Sequence, residues 1–351
     1  MMRDFSVVGQ SVPRVDAAAK ATGRALYIGD MRRPGMLYGK VLHSPYAHAL
    51  IKTIDAGKAR ALPGVHAVLT YGDVPQIPYT SCGHPHPPDT LEDMRILNQR
   101  LRYVGDAVAA VAAETPEIAE EALALIEVEY QVLPAYFTPE DALAEGALEI
   151  HEGTGNISGQ NAFETGDVDG AFAAAELIVE DEFRTPIVTH APIETHVQVA
   201  EVDANGRLTI YVANQVPNIL RERIAKALGM RIGQLRVIRY HIGAGFGGKQ
   251  EPIYEPITAC LALKTRRPVM LELTREESLA TTRTRHSSHF KTRTALKKDG
   301  TILAREISVV NNTGAYSAHG HNVILAMISK FMMMYPTPNL RFSGRSIYTN
   351  I

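Results

Sequence analysis

Four glycines fall within six residues of the run at 243–250 (GAGFGGKQ), directly after an apolar, strand-like stretch at 235–242. A segment with so few side chains contributes little to a core. Glycine instead permits positive φ and a close approach by another group, and successive exposed N–H groups form an anion-binding nest. The run therefore predicts a loop that contacts something large, anionic and not made of protein side chains.

The P-loop pattern explains this run poorly. Gly243, Gly248 and Lys249 satisfy most of that pattern, but Gln250 stands where a Ser or Thr is needed to hold magnesium. A Walker-type NTPase is therefore disfavoured. A tight structural turn stays open as the simplest interpretation of the glycines.

A dinucleotide-binding loop is a stronger rival. The glycines at 243, 245 and 248 fit its fingerprint, and Glu272 on a later predicted strand lies near the expected ribose contact. Against it, Pro252 and Pro256 push the following helix several residues beyond the glycines. A pyrophosphate would then lose the helix N-terminus that normally binds it.

Composition excludes several classes of protein. The 351 residues suit two or three domains, 45% of them are hydrophobic, and the net charge of −2 gives no global field for nucleic acid. Cys82 and Cys260 are too few for an iron–sulfur cluster or a disulfide framework. With no bilayer-length apolar run and no signal-like start, a cytoplasmic protein without nucleic-acid or membrane partners is expected.

Four other groups of residues invite a binding function, and in each a structural role is favoured. For the two groups that contain histidine, the number of ligands disfavours a zinc site. A basic cluster with acidic flanks is typical of a solvated strand face. A run of methionines is expected to fill irregular core space. The groups are His190, Glu194 and His196, which would share one strand face; Cys82 with His84 and His86, in a predicted exposed loop; the basic residues of 281–298; and the methionines at 332–334.

Short apolar runs bounded by turn residues predict strands, and helix starts carry cap signals. Thr115 before Pro116 begins a helix, and Asp167 caps another. The predicted strands are 37–42, 67–70, 104–112, 127–130, 178–183, 196–202, 208–212, 269–273, 303–310 and 346–349, and further helices are 139–145, 168–176, 217–228 and 254–264.

Sequence blocks along nearly the whole chain resemble, in order, the molybdenum-binding subunit of the xanthine dehydrogenase/aldehyde oxidase family. The overall similarity is to bacterial xanthine dehydrogenase-like subunits. Each block is weak singly, and together they are specific. Besides the glycine loop, the blocks are RVDAAAKATG (14–23), LHSPYAHA (42–49), LPGV (62–65), VGDAVA (104–109), ETGDV (164–168), HAPIE (190–194), ANQ (213–215), TRTRH (282–286) and NTGAY (312–316).

The resemblance implies an α+β fold. An a/b hammerhead domain at 21–133 would precede the first part of a molybdopterin-binding domain at 164–351, with an arm at 1–20 and a connector at 134–163. The chain stops before the Arg-Gly segment and second molybdopterin-binding domain of the family. We therefore expect a truncated product or a second polypeptide, and predict that this chain alone retains no cofactor and is inactive.

The resemblance also implies which residues approach the cofactor. Gln215 would donate a hydrogen bond to an oxygen ligand of molybdenum, which suits a neutral amide, although helix capping is the alternative from sequence alone. The Phe246 N–H would point at the same ligands, with its ring packed as an anchor. Gly245 and Gly247 would give the cofactor room, and Gln250 would face substrate.

The implied reaction is hydroxylation of an aromatic N-heterocycle or an aldehyde, with water as the oxygen source. The purine-oxidising relatives have Glu at the position of Gln250 and Arg near the position of Ala326, so the purine-binding charges are absent here. The general base of the family, a Glu, is expected outside this chain. No catalytic residue is therefore assigned to it.

The implied cofactor is molybdenum–molybdopterin, in the cytosine dinucleotide form used by bacteria. Electrons would pass to iron–sulfur clusters and FAD on partner subunits. The implied partners are the remaining molybdenum-subunit polypeptide, an iron–sulfur subunit and an FAD subunit. Two alternatives stay open: an NAD(P)-binding oxidoreductase that uses 243–248, and a non-catalytic assembly module.

Overall fold

The computed structural model describes residues 5–83 and 91–351. Its strands are β1 (Leu37–His43), β2 (Ala49–Asp55), β3 (Val65–Leu69), β4 (Arg100–Leu101), β5 (Ala107–Ala113), β6 (Glu127–Val132), β7 (Ile157–Thr165), β8 (Leu177–Thr185), β9 (Val188–Thr189), β10 (Val197–Val202), β11 (Leu208–Val212), β12 (Leu235–Arg239), β13 (Val269–Glu272), β14 (Thr284–Arg285), β15 (Ser288–Leu296), β16 (Ile302–Gly314) and β17 (Asn339–Tyr348). Its helices are α1 (Ala17–Ala21), α2 (Gly57–Ala61), α3 (Pro116–Ala124), α4 (Pro139–Ala142), α5 (Val168–Ala173), α6 (Pro217–Ala227), α7 (Glu255–Thr265), α8 (Arg275–Ala280) and α9 (Gly320–Met334). The mixture of helices with largely antiparallel sheets confirms the predicted α+β class.

The largest sheet has seven strands in the order β12-β11-β10-β13-β1-β5-β3. It joins strands from the two predicted domains, because β1 and β13 pair in parallel with Leu37 opposite Val269. Helices α6 and α7 cover part of it with Leu220 and Leu261, both fully buried. Burying these side chains stabilises the layer that carries the glycine loop.

A smaller sheet completes the hammerhead-like half. Strands β4, β2 and β6 form it in that order, and α2 and α3 share a core with β5 around Ala59, Ala119 and Val111. The Thr115 side chain accepts a hydrogen bond from the Ile118 N–H, which confirms the predicted cap of α3.

A five-stranded sheet ordered β7-β17-β16-β15-β8 forms the other half. Helix α5 begins at the predicted cap Asp167, which accepts from the Gly170 N–H, but ends three residues earlier than predicted. Helix α9 was not predicted. Its Ile324 packs on Phe342 of β17.

The prediction that residues 332–334 fill the core is wrong. Met333 and Met334 are 71% and 68% exposed. The helical positions that face the sheet are Ile324, Ile328 and Phe331. Met334 follows Phe331 by three residues and would share its face, so the exposure of Met334 indicates that the end of α9 extends beyond the packed cluster.

The glycine loop lies between β12 and α7, at the end of the seven-stranded sheet. Strand β12 ends at Arg239, and α7 begins at Glu255, one residue from the predicted start. In the two described ranges, no helix is long and apolar enough to span a bilayer.

Candidate functional site

The backbone of the glycine loop, residues 243–248, adopts an unusual conformation. Ala244 and Phe246 have φ of 76° and 53°, and Gly247 has φ of 97°. Positive φ is disfavoured for residues with a side chain. Such a conformation persists only where neighbouring groups hold it, and the side chains around this loop do so.

A buried ion pair holds the start of the loop. Glu194 Oε2 accepts from the Gly243 N–H at 2.9 Å and from Lys249 Nζ at 2.6 Å. The Glu194 N–H in turn donates to Gly243 O at 3.1 Å. Lys249 is only 2% exposed, and burial lowers the pKa of its amine against the opposing effect of Glu194. Because Glu194 Oε2 binds both Gly243 and Lys249, it fastens one end of the loop to the other.

Gln215 holds the other side of the loop. Its side-chain Oε1 accepts from the backbone N–H groups of Gly247 and Lys249 at 3.0 and 3.4 Å. The backbone N–H of Gln215 donates to Lys249 O at 2.8 Å. With Oε1 occupied in this way, the amide Nε2 is the atom left to donate. It makes no hydrogen bond with the described chain.

Glycine is required at positions 243, 245 and 247 for different structural reasons. A Cβ on Gly245 would lie 2.5 Å from Gln215 Oε1, and one on Gly243 would lie 2.4 Å from the Glu194 Cβ. Gly247 is needed for its positive φ. Gly245 therefore gives room to the Gln215 side chain, which the sequence did not predict.

Two histidines complete the support. His196 Nε2 lies 3.1 Å from Gly248 O, and its Nδ1 lies 3.3 Å from Ser278 Oγ. Burial lowers the pKa of His196 to about 4, which keeps the ring neutral near pH 7. His190 packs beside Gly248, where an added Cβ would lie 3.0 Å from its ring.

A cavity of about 650 Å³ opens beside the loop. Phe246, Gly247 and Gln250 line it. The Phe246 ring is 62% exposed, so the prediction that it packs as an anchor is wrong. The turn and a hydrogen bond from Arg285 Nη2 to Phe246 O, at 3.1 Å, position this residue instead.

A buried charge cluster forms one wall of the cavity. Glu251 accepts from Arg283 Nε at 2.5 Å and lies 2.6 Å from His319 Nδ1. Burial by itself would raise the pKa of Glu251, but Arg283 and His319 outweigh that effect and lower the pKa to about 2. Arg283 is thus an exception to the predicted solvated basic face, whereas Arg293 of β15 is ion-paired at the surface as expected. Sequence reasoning missed Glu251, although it lies only three residues after Gly248.

The two groups considered for metal or cysteine chemistry are structural where they can be described. Within residues 5–83 and 91–351, no cluster of three or more His, Cys, Asp or Glu side chains could hold a metal. His190, Glu194 and His196 precede β10 and clamp the loop. Cys82 is buried, not in an exposed loop as expected, and its Sγ lies 3.0 Å from Asn322 Nδ2. His84 and His86 lie outside the described residues.

The dinucleotide alternative does not agree with the geometry around α7. The Ile253 N–H at its start is satisfied by Glu255 Oε2 at 2.8 Å, so a carboxylate already stands where a pyrophosphate would bind. Strands β12 and β13 are also separated by β11 and β10. Glu272 therefore does not lie on the strand beside β12, as a nucleotide-binding βαβ unit requires.

Comparison with known proteins accounts for almost the whole chain. The family profile of the molybdopterin cofactor-binding domain matches residues 150–351, and that of the aldehyde oxidase and xanthine dehydrogenase a/b hammerhead domain matches residues 22–134. An aldehyde oxidoreductase structure from Desulfovibrio gigas superposes with a TM-score of 0.90 at 32% identity, covering 96% of this chain and 38% of that one.

Two relatives are similar in sequence over nearly the full chain. A putative xanthine dehydrogenase molybdenum-binding subunit of Escherichia coli K12 is 39% identical over 96% of this chain and 46% of its own length. The nicotinate dehydrogenase large molybdopterin subunit of Eubacterium barkeri is 36% identical over 100% of this chain and 81% of its own length. The chain thus spans about half the length of the first relative and most of the second. These matches show that the chain belongs to the xanthine dehydrogenase/aldehyde oxidase family of molybdenum-binding subunits.

Proposed function

We propose that this chain forms one wall of the active site of a molybdenum hydroxylase that oxidises an aromatic N-heterocycle or an aldehyde. The observation that carries the proposal is the Gln215 amide, whose Oε1 is held by two loop N–H groups. Such an arrangement fixes the orientation of Nε2 without using its donor capacity.

The residues present fit a molybdenum cofactor. Gln215 Nε2 and the Phe246 N–H both lack a hydrogen-bond acceptor within the described chain. Two neutral donors at one loop match an anionic group rich in oxygen ligands, and positive φ at Phe246 is a conformation found in such backbone nests. Gln215, Gly245, Phe246 and Gly247 would hold the group on this side. When bound, a molybdenum cofactor supplies two-electron oxidation with transfer of an oxygen atom from water to carbon.

The cavity would hold the substrate. Its volume of about 650 Å³ lies in the usual range for small-molecule sites. The exposed Phe246 ring offers an aromatic surface for a planar heterocycle, and Gln250 lines the cavity with no side-chain hydrogen bond to the described chain. A neutral amide there favours a neutral hydrogen-bonding substrate over one that needs a carboxylate partner.

Purines are not the favoured substrate class. The position considered for a purine-binding Arg, Ala326, lies in α9 and does not line the cavity. The basic residues that do, Arg283 and Arg285, bind Glu251 and Phe246 O. The names of relatives do not decide the substrate class, since they include a xanthine dehydrogenase subunit as well as a nicotinate dehydrogenase and an aldehyde oxidoreductase. The case against purines therefore rests on the residues of the cavity.

The proposal extends to the assembly. We expect the cytosine dinucleotide form of the cofactor, a cytoplasmic location, and electron transfer to an iron–sulfur subunit and an FAD subunit. The relatives are described as subunits of larger enzymes. Further molybdenum-subunit polypeptide would supply the general base and the opposite wall. The chain alone is therefore expected to be inactive, and the domain limits given above remain predictions.

Metal content and turnover of the purified assembly test the proposal together. We expect about one molybdenum per chain, oxidation of an N-heterocycle or aldehyde with a dye as acceptor, and label from ¹⁸O-water in the product. The Q215E variant, which exchanges the donor for a carboxylate, should lose turnover, whereas Q234E on the exposed surface should not. Molybdenum-free assemblies that bind NAD(P), or unchanged turnover after removal of this chain, would contradict the proposal in favour of the dinucleotide or assembly-module alternative.

A further inference from the structure

A second cavity differs from the one beside the glycine loop in its lining and its charge. Its volume is about 680 Å³, and it shares no lining residue with the cavity beside Phe246. It lies where β4 meets the segment that precedes β7. Arg95, Arg100 and Arg102 line it.

Among the residues that the structure describes, none of these three arginines forms an ion pair with a carboxylate. Within the same residues, Arg95 makes no hydrogen bond. Arg100 donates to His48 Nε2 at 3.0 Å and to Glu149 O at 2.5 Å. Arg102, which is only 8% exposed, donates to the carbonyls of Ile150 and Arg100, both at 2.9 Å. Guanidinium groups gathered in one concave site without carboxylate partners are costly unless an anion accompanies them.

None of the acids that line the cavity pairs with these arginines among the described residues. Glu92 is ion-paired with Lys226, and Asp93 Oδ2 accepts from the Ser317 N–H at 2.6 Å and from the Tyr348 hydroxyl at 2.8 Å. Asp93 Oδ1 is buried without a partner in the described chain, and burial raises the pKa of this carboxyl, which favours its neutral form. Glu152 is exposed at the rim. Local acids therefore do not pair with the arginines.

Two further observations favour an anionic ligand. Asn98 Nδ2 is a buried donor without a partner in the described chain, and Asn98 also lines this cavity. Burial, Arg102 and Arg100 lower the pKa of His151 to about 3. Arg102 likewise contributes to the lowered pKa of Arg100, after burial. Burial is the larger cause of both shifts, and the neighbouring guanidinium groups add to it.

We propose that this second cavity binds a phosphate-bearing small molecule through Arg95, Arg100 and Arg102, with Asn98 Nδ2 as an additional donor. Planar guanidinium groups match the oxygen geometry of phosphate. The volume exceeds the needs of a single phosphate, so the ligand is a pyrophosphate or a phosphate ester. The site is independent of the molybdenum chemistry proposed above.

Calorimetric titration of the purified protein, in whatever assembly it forms, tests this site in a buffer of low ionic strength. The probes are inorganic phosphate, pyrophosphate and adenosine monophosphate. We expect saturable binding of pyrophosphate at millimolar concentration or below. R95Q and R100Q should each weaken it about tenfold, as expected for a lost charge-assisted hydrogen bond. Tighter binding of adenosine monophosphate than of pyrophosphate would identify an ester ligand, and the reverse would identify a simple oxyanion.

Arg236→Gln is the matched control, because Arg236 is exposed, lies outside both cavities and has no ion pair among the described residues. It should leave affinity unchanged. R95Q keeps the test valid if R100Q fails to fold, since Arg95 holds no other group in the described chain. Three results would each overturn the proposal: no saturable binding at 10 mM probe, about the concentration above which affinity is too weak to be specific, equal affinity in R95Q, or an equal loss in Arg236→Gln. None depends on molybdenum content.

Discussion

The two flanks of the glycine loop are held by different chemistry. At Gly243 a buried ion pair, Glu194 with Lys249, fastens the backbone. At Gly247 and Gly248, neutral groups of Gln215 and His196 do so. A buried charge left without its partner is strongly destabilising, whereas a lost neutral hydrogen bond costs less. We infer that the charged flank determines whether the loop forms, and the neutral flank determines how it is used.

The largest effect is expected from Lys249→Met. The change leaves the Glu194 carboxylate buried without its cation, which should lower the free energy of unfolding by about 3–5 kcal/mol. Urea denaturation measures it. The exposed pair of Lys58 with Glu127 provides the control, since Lys58→Met should leave the midpoint unchanged. Recovery of stability in the double variant Lys249→Met/Glu194→Leu would support the charge explanation, and a loss equal to the sum of the single changes would contradict it.

Acid should weaken the neutral flank next. The pKa of His196 is about 4 in the folded protein, below its ordinary value of 6.5. The unfolded chain therefore binds the proton more readily between these values, so stability present above pH 6.5 is lost as pH falls toward 4. The loss is about 3 kcal/mol for this group.

Urea midpoints measured from pH 7 to pH 4 check this expectation. Parts of the slope belong to His286 and His151, because burial also lowers their pKa values, to about 4 and about 3. The H196Q variant should reduce the slope of stability against pH by the contribution of His196. An identical slope in H196Q would show that another group is responsible.

Gly245→Ala probes the contact between loop and amide. The new Cβ would lie 2.5 Å from Gln215 Oε1, so one of them must move, at a cost of about 1–3 kcal/mol. Thermal denaturation measures the change. A Cβ added at Gly233 would meet no described atom within 4 Å, and the backbone there has no positive φ, so Gly233→Ala should be neutral or slightly stabilising. Equal effects at both sites would mean that the Gly245 contact is unimportant.

Gln215→Glu should have the smallest effect on stability and a large one on turnover. The carboxylate still accepts from the Gly247 and Lys249 N–H groups, so we expect a stability change below about 1 kcal/mol. It removes the Nε2 donor, and turnover of the assembly should fall about a hundredfold, as for other lost oxyanion donors. Steady-state rates compared with denaturation midpoints separate the two effects. Parallel losses of stability and turnover would assign Gln215 a structural role alone.

Local signals predicted much of the fold. The caps Thr115 and Asp167 and the strand at 208–212 appear as expected, because each is determined by residues close in sequence. The pairing of β1 with β13 could not be predicted, since Leu37 and Val269 are far apart in the chain. Helix α9 escaped prediction because its apolar residues occur on more than one side.

In the site, too, some features could be predicted from local sequence, whereas others are determined by the tertiary fold. The glycine loop and its resemblance named Gln215, Phe246 and Gln250. They did not reveal that Glu194 and Lys249 pair, because that contact is determined by the tertiary fold. The ring of Phe246 was wrongly expected to be buried, since an aromatic residue among glycines gives no information on which side faces the cavity.

Anomalous diffraction at the molybdenum edge, on crystals of the purified assembly, tests the central claim most directly. A hydrogen bond of about 3 Å and a metal–oxygen bond of about 2 Å predict a molybdenum peak no farther than about 5 Å from Gln215 Nε2, on the side of the Phe246 N–H. A stoichiometric molybdenum peak elsewhere in the assembly, with Gln215 and the glycine loop facing protein or solvent, would contradict the account.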